Sequence, residues 1–106
     1  MPADASGHLL VMGLEVTDRD GYARYRAGMR PILASYGGSF RYDFEVAAVL
    51  EAPGEARLNR VFAIAFPDRE ARRRFFDDPR YRAVRAEHFE PSVGAIATIA
   101  EADGRA

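Results

Sequence analysis

Tyr22, Tyr25 and Arg26 stand within one helical turn of each other, and Tyr36, Arg41 and Tyr42 follow in a second group. Phenols donate and accept hydrogen bonds, and a guanidinium grips a carboxylate with two parallel ones. On the wall of a cleft, these six side chains could orient a small aromatic or carboxylate ligand. The competing reading makes the tyrosines the core stripe of a helix with their hydroxyls at its rim, and spacing alone favours it. His88 is the better placed of two histidines, because Glu87 and Glu90 stand close enough to raise its basicity or fix its ring. That pattern suits a general base or an axial ligand. A helix-end histidine interacting with the macrodipole explains the same residues more simply. His8, beside the polar start of the chain, carries less weight.

Absences narrow the chemistry further. The chain has no cysteine, and all 15 of its cationic side chains are arginine. Thiol nucleophiles, disulfides, Cys-rich zinc sites and lysine Schiff bases are excluded. No His-Glu-x-x-His or comparable spacing gathers three metal ligands, so neither a metal nor a cofactor is expected. Arg69, Arg72, Arg73, Arg74, Arg80, Arg82 and Arg85 form the densest basic run, a candidate phosphate site. However, Asp68, Glu70 and Asp78 each precede an arginine by four residues, which favours a solvated helix face. The net charge of -1 offers no field for nucleic acid or an anionic membrane.

These side chains need elements to position them. Within 106 residues, one domain with one modest core is expected, over 8–100, between a flexible leader at 1–7 and a flexible tail at 101–106. His8 to Val16 reads as a buried strand with apolar groups on both faces. Thr17 or Asp18 can cap a helix whose stripe is Tyr22, Tyr25, Met29, Leu33 and Tyr36, ended by Gly37 and Gly38. Pro31 inside the stripe predicts a kink near Ala27 and Gly28. Gly28 could serve that kink or let a ligand approach the helix backbone.

Ser39 to Glu51 reads as a second strand, with Phe40, Tyr42, Phe44, Val46, Ala48 and Leu50 on one core-facing parity. Pro53 and Gly54 predict a tight reversal into a third strand, Leu58 to Phe66. Pro67 and Asp68 start a second helix, Asp78 and Pro79 restart it towards His88, and Pro91 stops it before a last strand, Val93 to Ala100.

The order β-α-β-β-α-β specifies an α+β, ferredoxin-like fold: a four-stranded antiparallel sheet with two helices on one face. Leu9, Val11, Val49, Val61 and Ile96 have the parity opposite to their bulkier neighbours, so the second face is expected to be apolar as well. Burying such a set of side chains against a partner would contribute on the order of 10 kcal/mol before association costs. A homodimer packed sheet to sheet follows.

Several short segments carry a resemblance. They are Glu15-Val16-Thr17-Asp18, Tyr22-Ala23-Arg24-Tyr25, Tyr36-Gly37-Gly38-Ser39-Phe40, Phe66-Pro67-Asp68-Arg69-Glu70-Ala71 and Asp78-Pro79-Arg80-Tyr81-Arg82-Ala83. Together they resemble the uncharacterised bacterial family DUF1330, a domain of unknown function, across most of residues 9 to 100. The segment Glu87-His88-Phe89-Glu90-Pro91 departs from that pattern. The resemblance implies a dimeric α/β barrel, the architecture of antibiotic-biosynthesis monooxygenases, muconolactone isomerase and the chlorite dismutase group. It brings no catalytic set with it.

The functional expectation is a homodimer that binds a small organic molecule in a cleft between helices and sheet, with cofactor-free monooxygenase- or isomerase-like proton transfer. The alternative is a non-catalytic homodimerisation or accessory module in which the tyrosines and His88 serve packing alone. A cavity lined by Tyr25, Arg41 or His88 would favour the first, a solid core the second. An RNA-recognition motif shares the element order, and Arg60-Val61-Phe62-Ala63-Ile64 partly mimics its third strand, but the first strand lacks stacking aromatics. No nucleic-acid partner is expected. The start has no basic segment, and Gly13 and Glu15 break the first apolar run, so no signal peptide or membrane span is expected, and a cytoplasmic location is expected. Arginine and alanine in place of lysine hint at a GC-rich bacterial genome.

Overall fold

The computed structural model describes residues 7–104, so most of the leader and the end of the tail lie outside the described residues. The chain runs β1 (His8–Val16), α1 (Arg19–Ser35), β2 (Ser39–Glu45), β3 (Arg60–Phe66), α2 (Arg69–Asp77), α3 (Pro79–Val84) and β4 (Val93–Asp103). A π-helical turn, Arg85–Phe89, and a 3-10 turn, Glu90–Ser92, carry α3 into β4. The strands form one antiparallel sheet in the order β2-β3-β1-β4, and the chain has the expected α+β ferredoxin-like fold.

Local chemistry sets each helix. Asp18 caps α1 by accepting from the Gly21 N–H at 3.1 Å, and Asp68 caps α2 by accepting from the Ala71 N–H at 2.7 Å. Asp78 caps α3 in the same way, with Pro79 in the first turn where a missing N–H costs nothing. Gly37, at φ 77°, turns the chain out of α1. Tyr22, Tyr25, Met29 and Leu33 are buried in one core with Leu10, Leu14, Phe62, Ile64 and Phe66 of the sheet. α1 continues as one helix through Ala27, Gly28 and Pro31. Gly28 is a packing residue, since a Cβ there would come within 2.9 Å of the Val84 side chain.

The β2–β3 connection differs from the expected tight hairpin. β2 stops at Glu45, and residues 46–59 form a loop in which Leu50 is 93% exposed. Gly54 does take positive φ, but as one turn within this loop. Asn59 ends the ladder. Its side chain accepts from the Val16 N–H at 2.8 Å and donates to the Val16 carbonyl at 2.9 Å, while its own N–H bonds the Leu14 carbonyl. The third strand therefore starts at Arg60; Val46 keeps one cross-strand bond, its N–H to the Asn59 carbonyl at 2.9 Å, and the residues after it run into the loop. An Asn59→Ala variant leaves both Val16 groups unpaired and is expected to lose about 1–3 kcal/mol, read from the urea midpoint at unchanged m.

Bulges decide which side chains face the helices. Phe40 opposes Ile64, but Tyr42 opposes Ala63, so Arg41 is an extra residue in β2. Side chains alternate along a strand, and one extra residue moves all that follow to the other face. Phe40 therefore packs towards the helices, Asp43 joins it there opposite Phe62, and Tyr42 and Phe44 move to the open face, 53% and 55% exposed. The expected shared core face for Phe40, Tyr42 and Phe44 is thereby corrected.

A second shift places Ile99 between the Val11–Ala100 and Met12–Thr98 pairs. It lies over Gly13 on the open face, where a Cβ on Gly13 would come within 3.2 Å of it. Ile96 opposes Leu14 on the helix side, and Val49 sits in the loop, so neither belongs to the open face as expected. That face instead presents Leu9, Val11, Val61, Tyr42, Phe44 and Ile99 with the small alanines of β3 and β4. β4 reaches Asp103, so residues 101–103 are sheet where a tail was expected.

Candidate functional site

A cleft of about 190 Å³ opens between the sheet and the helical layer. Leu10, Met12, Phe62, Ile64, Ile96 and Thr98 form its sheet side. Tyr25 and Met29 come from α1, Arg72 and Phe76 from α2, Tyr81 from α3, and Arg85 and Phe89 from the π turn. The π turn, with the Glu90 N–H bonded to the Arg85 carbonyl, brings two residues four apart to this opening.

The polar centre of the cleft is a pair of phenols. The Tyr25 and Tyr81 hydroxyls are 2.8 Å apart and buried. Burial, followed by the adjacent Tyr81 hydroxyl, pushes the Tyr25 phenol far above its ordinary pKa. Tyr25 therefore stays neutral at physiological pH, fit to donate or accept a hydrogen bond and unfit to act as a base. Two guanidinium groups complete the lining. Arg72 donates from Nη1 to Glu101 at 2.8 Å, while its buried Nε has no acceptor among the described residues. Arg85 lies with its guanidinium carbon 4.9 Å from the centre of the Phe89 ring.

Of the six tyrosines and arginines read as ligand-binding candidates, Tyr25 alone lines this cleft, together with Arg72 and Arg85 from the basic run. Tyr22 and Arg26 belong to a neighbouring cluster under β2. Arg26 is buried over the Phe40 ring at 3.8 Å and donates to Asp43 at 3.0 Å and to the Tyr22 hydroxyl at 3.4 Å. Arg60 holds Asp43 with two further bonds of 2.8 and 3.0 Å, and these bonds lead the effects that hold the Asp43 carboxyl below its usual range. Desolvation raises the Tyr22 phenol. The bulge at Arg41 creates this cluster by turning Asp43 towards α1, while Arg41 itself is exposed. Tyr42 stacks on Phe44 across the open face, ring centres 5.9 Å apart.

Tyr36 ties the end of α1 to the start of α3 by donating to Asp78 Oδ2 at 2.6 Å. Arg80 and then Tyr36 hold the Asp78 carboxyl well below the usual carboxylate range. A group with a depressed folded-state pKa stabilises above its unfolded pKa, and that contribution fades as pH falls below about 4. Asp78→Asn, which keeps a capping side chain, is expected to flatten the fall in melting temperature below about pH 4, followed by circular dichroism.

His88 sits on the π turn with Nε2 3.5 Å from Glu87, outside the cleft lining. His8 is fully buried instead, with Nδ1 3.0 Å from Asp103 and Nε2 3.7 Å from Glu101. Sequence reasoning missed Phe76, Tyr81 and Phe89 as site residues, and it assigned Arg72 and Arg85 to a solvated face. The four-residue steps from Arg72 to Phe76 and from Tyr81 through Arg85 to Phe89 are the signal that places each set on one helical face. Among the described residues, no group of three potential ligands gathers to hold a metal, and no helix is long and apolar enough to cross a membrane.

Solved structures share this fold. A protein of unknown function from Rhodopseudomonas palustris superposes with a TM-score of 0.80 at 17% identity, over 96% of this chain and 85% of that one. A dimeric protein of unknown function with a ferredoxin-like fold from Bacteroides fragilis gives 0.61 at 10% identity, over 92% and 95%. The hydroxynitrile lyase from Passiflora edulis gives 0.66 at 9% identity, over 95% of each chain. At such identities the likeness carries the fold and no reaction. No curated protein matches the sequence. The family model described as domain of unknown function, DUF1330, matches residues 7–102 and so spans α1, α2, α3, the cleft and all of the four strands but Asp103; the chain belongs to that family.

Proposed function

We propose that this protein is a homodimer, paired through its open sheet faces, that binds a small organic molecule in the cleft between helices and sheet. The observation that carries the binding reading is the cleft itself, walled by rings and methionines around the buried Tyr25–Tyr81 hydroxyl pair. A solid core would have favoured the accessory module. A dry apolar cavity of about 150 Å³ holds benzene, so this volume suits a ligand of one ring with a small substituent. The two phenol hydroxyls would orient a carbonyl or hydroxyl oxygen, and any proton transfer would need a base on the ligand itself. The pairing reading rests on the apolar open face and is supported by the dimeric Bacteroides fragilis protein of the same fold.

Met12 and Met29 line the cleft, so methionine-methyl NMR observes it directly. Titration with toluene is expected to shift both signals saturably, and signals that do not move would overturn the binding reading. Sedimentation at micromolar concentration is expected to show a dimer, and a monomer would overturn the pairing.

A further inference from the structure

We infer that the cleft's natural ligand is a small ring-bearing monocarboxylate, with its ring among the aromatic walls and its carboxylate at Arg85. This rests on the binding reading and adds the charge of the ligand. Among the described residues, the other arginines are accounted for. Arg19, Arg26, Arg60, Arg69, Arg72, Arg73, Arg80 and Arg82 each lie within salt-bridge distance of an acid. Arg24, Arg30, Arg41, Arg57 and Arg74 have no such partner and are exposed. Among the described residues, Arg85 alone is both half-buried and without a carboxylate, and it lines the cleft.

A guanidinium partly withdrawn from water has lost hydration that only an anion or several acceptors can replace. Arg85 lines the same cleft as the paired Tyr25 and Tyr81 hydroxyls, the cleft's polar centre. Arg72 adds a second unmet donor, its buried Nε. The Arg72 charge, however, is already opposed by Glu101. One uncompensated positive charge and one spare N–H fit a monoanionic carboxylate better than a doubly charged phosphate. The rings of Tyr25, Phe62, Phe76, Tyr81 and Phe89 and the adaptable Met12 and Met29 suit a flat apolar body.

Benzoate, toluene and benzylamine carry the same ring with a negative, neutral and positive head, and methionine-methyl NMR on the whole chain compares them. Benzoate is expected to bind at least about tenfold more tightly than toluene, with benzylamine weakest. Arg85→Leu is expected to remove that advantage while toluene still binds, which also shows that the variant is folded. Toluene binding as tightly as benzoate, or Arg85→Leu leaving benzoate affinity unchanged, would overturn the charge assignment and leave the cleft reading standing. If none of the three probes moves the Met12 and Met29 signals, the binding reading falls as well.

Discussion

A Val61→Glu variant is expected to remain folded and to sediment as a monomer at concentrations where the parent is a dimer. Val61 lies on the open face of β3, an inner strand of the sheet, opposite Phe44 on one side and Gly13 on the other. In a single chain it is half-buried, so a glutamate there can reach water and the fold survives. In a sheet-to-sheet dimer the same carboxylate is buried without a cationic partner, because the residues around it are apolar: Val11, Phe44, Leu58 and Ile99. Burying an unpaired charge costs several kcal/mol, and two-fold symmetry applies that cost twice. The dissociation constant should rise on the order of a thousandfold or more. A variant that still sediments as a dimer would place the pairing elsewhere on the molecule.

Phe75→Ala should produce the largest loss of stability in the chain, about 3–5 kcal/mol. Phe75 is completely buried, and its ring meets those of Tyr81, Phe76, Phe66 and Tyr36 at centre distances of 4.4, 5.0, 6.0 and 6.3 Å. It is where α2, α3, the end of α1 and β3 converge, so no single neighbour can move in to fill the void. A domain of this size has only about 5–15 kcal/mol in hand, so the urea midpoint should fall by a large fraction of its value. Phe76 and Tyr81 also wall the cleft, and toluene binding should weaken with the loss of their support. A loss below about 1 kcal/mol would show that the cluster repacks around the missing ring.

The backbone plan was legible in the chain because its signals are local. Asp18, Asp68 and Asp78-Pro79 announce helix starts by chemistry that acts within three or four residues. Gly37 marks the exit of α1 for the same reason. The second strand misled where the decisive partner was distant. Alternation from Phe40 to Leu50 looks like one long strand, but Asn59, Val16 and Leu14 end the ladder from outside that segment. The bulge at Arg41 is equally invisible in β2 alone, since register belongs to the pair of strands.

The candidate site was less legible than the fold. Tyr25 was found because tyrosines one turn apart on a helix attract notice. Arg85 looked like one more arginine in a run that suited solvent, and six of that run's seven members do have a place there or at an acid. Nothing in the order of residues shows which arginine has no acid across from it. That depends on β4 ending opposite α2, where Glu101 and Asp103 meet Arg72 and Arg69 and leave Arg85 unmatched.

The sequence by itself determined the α+β plan, the caps, the family and the presence of more apolar surface than two helices can cover, because each follows from periodicity or from contacts a few residues apart. Only the tertiary structure decided which face Tyr42 and Asp43 occupy, that Tyr25 meets Tyr81 and that Arg85 lacks an acid, because these are pairings across the sheet and between helices. They are set by register and bulges, which exist only once distant segments are side by side.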